Sequence, residues 1–418
     1  MGANNAESWS LTAQFIFPVD GPPLENGIVV VEGALIKAIE SAGARKPDLS
    51  LGGCAVIPGL VNAHTHLDLS GLRGKIPQAA NFTDWLRVVI RHRWGLSPAE
   101  IQEAIQEGLK ESLFTGTTLL GDISGMGLSW DALSAATLRA TVFYELLGLP
   151  GARAEQAWIG AQTWLASHSA TPKCQPGLSP HAPYSVRASL FDLAAHSHVP
   201  LSIHLAETRE EIELLERHTG GFHGFLEGLG VWDAEGLIPS ISKLLEMVQA
   251  TTSVLLIHGN YLEPSLDFPA GSTVVYCPRT HAYFGHVMHP FREFLARGVR
   301  VALGTDSLAS NPDLDLLAEL RFLGRQFPDV PGSTLLRMAT LNGAEALGWQ
   351  DETGSLRPGK SADLAVVPLP DRNQRDPYRL LIEGSAPVRA VLFRGRWVYD
   401  SSEAFAPGEI TTGMPFTP

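Results

Sequence analysis

The chain has 418 residues, 44% hydrophobic and 18% charged, with 41 glycines and 29 prolines, which describes a globular protein rich in tight turns rather than a disordered one. Its formal net charge of -13 argues against a nucleic acid polymer as partner, because phosphate binding relies on concentrated Lys and Arg, and favours a small molecule. Cys54, Cys174 and Cys277 are far apart and lack CxxC spacing, so a disulfide framework and a thiolate metal site are both excluded and the expected compartment is the cytoplasm.

In chain order, the opening MGANNAESWSLTAQF shows no basic segment followed by an apolar one, and Ala6 breaks the myristoylation pattern. No apolar run in the chain approaches the roughly 20 residues of a bilayer span. Residues 10–54 then hold short β-like runs such as NGIVVVEGALIKAIE. The run AVIPGLVNAHTH, 55–66, reads as the first long strand, since Pro58-Gly59 excludes a helix. Strand alternation puts His64 and His66 on one face and Thr65 on the other. An insert at 67–97 carries Arg73, Phe82, Trp85 and Trp94, and the following amphipathic stretch has Ser97 to cap a helix and Pro98 at its first position. Further strands are expected at 117–124, 140–148, 175–181, 200–207, 253–260, 272–278 and 300–307, with a second insert at 208–250.

Eight strands alternating with helices predict an α/β protein, a (β/α)8 TIM barrel over 55–355. A small β-sandwich built from both chain termini, 1–54 and 356–418, is expected beside it. His64, His66, His181, His204, His258 and Asp306 all fall at the C-terminal ends of expected strands, the rim where such barrels place their chemistry. Side chains spread from position 64 to position 306 would thus meet at one place.

Three histidines and a carboxylate, His64, His66, His204 and Asp306, suit one divalent ion, zinc before iron, with a position left for water. Such an ion lowers the pKa of water from about 15.7 to about 7. Glu207, three residues after His204, is placed to shuttle a proton, and His258 to support the attacking water. His181 is a candidate for substrate contact. Phe82, Trp85 and Arg73 could offer a stacking face and a donor, and Arg279 and His281, after the seventh strand, could bind a polar substituent. No lysine ends the fourth strand, QPGLSPH, where two-metal versions of this architecture commonly carry one, so a single metal is expected.

The motifs PGLVNAHTHLDLSGLRG, FTDWL, SPHAPYSV, IHLAET, IHGNYL, CPRTHAYFG, LGTDSLASNPDLDLLAELR and GSLRPGKSADLAVV stand in the order seen in the amidohydrolase superfamily. The chain resembles the cytosine deaminase and chlorohydrolase-like branch of that superfamily. The resemblance implies a mononuclear zinc or iron centre on His64, His66, His204 and Asp306, with proton transfers by Glu207 and His258. It also implies that Asp306 takes the proton of the attacking water. CPR...FG and LAELR look more like the aminodeoxyfutalosine deaminase group, and Thr280-His281 replace the Ser-Asn usual in adenosine-type deaminases.

The expected function is therefore metal-dependent hydrolytic deamination of an aminated heterocycle, a purine or purine nucleoside-like compound, with release of ammonia. A chlorohydrolase or a cyclic-amide hydrolase is the alternative on the same scaffold, and an inert binding barrel is the least favoured. No membrane partner is expected, and a homodimer is the assembly to test.

Overall fold

The protein is described from a computed structural model over residues 8–251, 253–371 and 376–401. Eight parallel strands follow one another in sheet order: β1 Leu60–Thr65, β2 Thr117–Ser124, β3 Arg139–Leu146, β4 Cys174–Pro180, β5 Leu201–Leu205, β6 Val254–His258, β7 Thr273–Tyr276 and β8 Arg300–Leu303. The sheet closes where the backbone N–H groups of Thr305 and Asp306 donate to the His64 carbonyl, at 3.1 and 3.0 Å. Asn62 tightens the seam, its Nδ2 donating to Thr305 Oγ1 at 2.8 Å and its Oδ1 accepting from the Thr305 N–H. Hydrogen bonding thus brings β8 against β1, and the result is a (β/α)8 barrel.

Helices cover the outside of most strand connections. The helix Pro98–Phe114 starts as expected: Ser97 accepts from the Glu100 N–H while the Glu100 carboxylate reaches back to the Ser97 N–H. Among the described residues no helix separates β6 from β7. No helix of the described residues is long and apolar enough to cross a membrane.

The expected first strand is in fact two. Cys54–Pro58 pairs antiparallel with Leu364–Pro368 and parallel with Phe15–Ile16 in a six-stranded sheet of both chain ends, and only Leu60–Thr65 belongs to the barrel. The chain changes sheet at Gly59, where a Cβ would lie 2.0 Å from Thr118 Oγ1, so no larger residue fits the crossing. A four-stranded sheet, from Ser8–Thr12, Ile28–Glu32, Leu35–Glu40 and Leu49–Ser50, shares one buried apolar cluster with the six-stranded sheet, including Leu11, Val31, Val56 and Leu364. Residues 1–7, with the expected absence of a myristoylation site, and 402–418 of the expected sandwich lie outside the described residues. Barrel and sheets are joined by a buried ion pair, Arg139 at the foot of β3 with Asp363, with the guanidinium also over the Phe393 ring.

Candidate metal and proton-transfer centre

The rim is shaped by backbone turns that few side chains accept. Ala206, just past β5, His258, the last residue of β6, and Asp306, after β8, have φ of 52°, 67° and 62°. Non-glycine residues in this left-handed region are strained by about 1–3 kcal/mol each and persist where the surrounding structure over-determines them, a frequent property of functional sites. The turns point the side chains of His258 and Asp306 into the barrel mouth beside those of β1 and β5.

There, His64 is fully buried, and neither of its ring nitrogens has a hydrogen-bond partner among the described residues. Its Nε2 stands 3.5 Å from Asp306 Oδ1, and His66 Nε2 stands 3.7 Å from the same oxygen. His204 Nδ1 lies 3.1 Å from the His181 carbonyl and donates to it, which leaves its Nε2 as a lone pair 3.3 Å from His66 Nε2. Ligand atoms of His64, His66 and Asp306 lie within 4.8 Å of one another, as do those of His64, His204 and His258. Ring nitrogens and a carboxylate oxygen gathered this closely form the donor set a divalent cation accepts.

Electrostatics favour the same use. Burial, reinforced by the neighbouring imidazoles, holds His66 and His204 well below the ordinary histidine range, which favours the neutral form that a metal ligand requires. Burial likewise pushes His258 down to about 3. Burial opposes ionisation of Asp306, but the His64 ring and the surrounding histidines outweigh it and hold the carboxyl below the usual carboxylate range. Glu207 goes the other way: burial first, then the Asp306 and Glu211 carboxylates, raise it well above that range. A protonated Glu207 thus faces a neutral His258, Oε1 to Nε2, at 3.5 Å. Glu211 braces the turn, accepting the Ala206 N–H at 3.0 Å and the Glu207 N–H at 2.9 Å on its two oxygens.

Of the residues expected to meet substrate, His181 stands at the centre. Its ring lies 4.6 Å from that of His204 and its Nδ1 2.9 Å from Ser185 Oγ. Phe82 and Trp85 lie 5.5 Å apart, and each packs on Phe284 at the end of the helix Pro278–Phe284 after β7. Phe82 also meets Phe222 of the second insert, and Phe222 lies 4.2 Å from Tyr184, which touches His181. The two inserts therefore build one aromatic wall that reaches the centre, whereas Trp94 is 77% exposed.

Arg73 and Arg279 are engaged elsewhere. Arg73 is half-exposed, pairing with Glu111 and donating to the Pro312 carbonyl. Arg279 grips both oxygens of Asp313, at 3.0 and 2.6 Å, and binds Glu319 through Nε at 2.7 Å. His281 Nε2 is 2.8 Å from the Val287 carbonyl. Residues that sequence reasoning passed over include Glu145, at the end of β3, and Arg93, which pairs with it and with Asp68. Position at a strand end, the rule that singled out the histidines, would have found Glu145.

Barrel, rim and donor set together define a metal-dependent hydrolase of the kind that works at a barrel's C-terminal mouth. Residues 55–398 match the amidohydrolase family, and the chain belongs to it. It is 31% identical over 380 residues to the 5-methylthioadenosine/S-adenosylhomocysteine deaminase of Moorella thermoacetica, covering 85% of this chain and 84% of that one. Identity to the aminodeoxyfutalosine deaminase of a Nitratiruptor species is 26% over 375 residues, 86% of this chain and 90% of the relative. A crystal structure of an adenosine deaminase from Xanthomonas campestris with bound zinc superposes with a TM-score of 0.75 at 25% identity, covering 93% of this chain and 92% of that one.

Proposed function

We propose that this chain deaminates a purine nucleoside-like substrate, and that His64, His66, His204 and Asp306 hold the single zinc ion it uses. The carrying observation is the meeting of the buried His64, His66 and His204 rings with the Asp306 carboxylate, beside Glu207 and His258. When bound, the ion supplies Lewis acidity and a water acid enough to yield hydroxide near neutral pH. Asp306 accepts the proton that the attacking water releases. Glu207 gives its proton to the ring nitrogen next to the attacked carbon, which makes that carbon electrophilic; it then takes the proton of the new hydroxyl as the carbonyl forms and passes it to the leaving amine, and the proton held by Asp306 restores it. His258, neutral and 3.5 Å from Glu207 Oε1, holds that carboxyl in place and hydrogen-bonds the incoming nucleophile.

The wall of Phe82, Trp85, Phe222 and Tyr184 suits a flat ring, and His181 a polar atom on it. Relatives that carry nucleoside deaminase names over most of their length support the same substrate class. To this proposal also belong a cytoplasmic setting, a partnership with small molecules rather than nucleic acid or membrane, and a homodimer.

The test is ammonia release from a panel of aminopurine nucleosides, chlorinated triazines and cyclic amides, with metal analysis of the same preparation. Ammonia from a nucleoside and one zinc per chain are expected. Turnover of chlorinated rings or cyclic amides alone would reassign the reaction while leaving the hydrolase.

A further inference from the structure

The first insert, the loop after β2 and the end of β3 meet at one guanidinium. Arg93, on the helix Phe82–Gly95 that carries the aromatic wall, binds Asp68 Oδ2 at 2.6 Å and Glu145 Oε2 at 3.4 Å. The loop after β2 gives way to it: a Cβ at Gly125 would lie 1.7 Å from Arg93 Nη2, so only glycine leaves room for the guanidinium. Asp68 answers the positive charge at short range. Glu145, its side chain only 7% exposed, keeps its other oxygen uncommitted: Oε1 lies 4.0 Å from His181 Nε2, beyond hydrogen-bond distance, and no described residue donates to it.

Buried carboxylates that serve structure alone behave differently in this protein. Both oxygens of Glu211 accept backbone N–H groups, and both oxygens of Glu319 accept from Arg279. Glu145 is instead held by one oxygen, with the other presented beside His181, whose ring lies against that of His204.

We propose that Glu145, held by Arg93, is a specificity-determining substrate residue whose Oε1 accepts a hydrogen bond from a sugar hydroxyl of the nucleoside. An ionised carboxylate is an acceptor only, so its ligand must bring a donor. Away from the base, a nucleoside's donors are its sugar hydroxyls, and Glu145 stands one side chain further from the metal ligands than His181. This deepens the deaminase reading and rests on it.

The experiment compares adenosine with its 2′-, 3′- and 5′-deoxy analogues on wild type and on Glu145→Gln. The substitution keeps volume, and beside Arg93 the amide turns its oxygen to the guanidinium and its NH2 toward the substrate, replacing an acceptor by a donor. KM for adenosine should rise about 10- to 100-fold, the worth of a hydrogen bond to a charged group, with kcat and zinc content nearly unchanged. At least one deoxy analogue, poor with the wild type, should lose its disadvantage in the variant. An unchanged KM, or an equal rise for adenosine and all three analogues, overturns the assignment. If the wild type releases ammonia from no nucleoside, the functional reading is what has failed. Calorimetric binding of the same nucleosides to zinc-loaded wild type and variant then decides separately, and equal affinities for adenosine in both forms end the proposal for Glu145.

Discussion

Two parts of the barrel mouth, both rich in charge, have settled it in opposite ways. At the ends of β1, β5 and β8 the hydrogen bonding is incomplete: both ring nitrogens of the buried His64 are without partners, and His66 and His204 have only each other's Nε2, across 3.3 Å, on the side that faces it. On the helix Pro278–Phe284 that follows β7, Arg279 is engaged by Asp313, Glu319 and the Asp315 carbonyl. Burial without a partner is costly, so the first arrangement persists only if something else is meant to fill it. A saturated group has no such need, and its charge is spent inside the fold. Both places hold polar side chains at the rim, and hydrogen-bond satisfaction separates chemistry from scaffolding.

Removing a ligand on the unsatisfied side should have the largest effect. His66→Ala deletes one of the facing nitrogens, and activity should fall to background with zinc content well below one per chain by elemental analysis. Two metals per chain in the wild type would contradict the single-ion reading. Glu207→Gln comes next: shape and the neighbouring His258 are kept, the transferable proton is lost, and kcat should drop by about 10² to 10⁴. Zinc should stay bound. Full activity in that variant would hand the proton transfer to another group.

Much of this side was legible in the sequence, because strand periodicity and position at the strand end are local properties. His64 and His66 share a face by alternation alone, and His204, His258 and Asp306 each close a readable apolar run. The left-handed turns at His258 and Asp306, which aim those side chains, leave no such trace. The boundary at Gly59 was hidden for another reason: Cys54–Pro58 and Leu60–Thr65 form one continuous apolar run, and only the collision with Thr118, nearly sixty residues on, shows that the chain changes sheet there. Arg279 was read as a substrate donor because its acidic partners, Asp313 and Glu319, lie 34 and 40 residues away. Long-range partners decide satisfaction, and a single sequence does not display them.

Arg279 sharpens the comparison from the saturated side. Arg279→Met should lower stability by about 3–5 kcal/mol, the usual penalty when one partner of a buried ion pair is removed, because the fully buried Glu319 is left without its cation. Chemical denaturation of the zinc-loaded protein measures it. Activity per folded, zinc-loaded molecule should stay within a few-fold of wild type. A tenfold rise in KM with unchanged stability would move Arg279 to the substrate side and blur the distinction.

The smallest effect concerns Glu211, which is saturated yet stands next to the chemistry. Its oxygens hold the N–H groups of Ala206 and Glu207, which fixes the turn that presents Glu207. Burial pushes its carboxyl up from an ordinary 4.5 to about 7, although those backbone N–H groups pull the other way. A carboxyl raised in the folded state contributes stability that is complete below the unfolded value and is lost as pH climbs through the folded one. Between pH 4.5 and about 7 the wild type should therefore shed stability on the order of 3 kcal/mol from this group, then level off. Glu211→Gln cannot titrate, so its stability should follow pH without that component. Urea unfolding of both zinc-loaded proteins at pH 5 and pH 8 reads the difference. Parallel pH slopes would mean that Glu211 stays in one protonation state across that range, and that the turn is held by a carboxylate already ionised at pH 5.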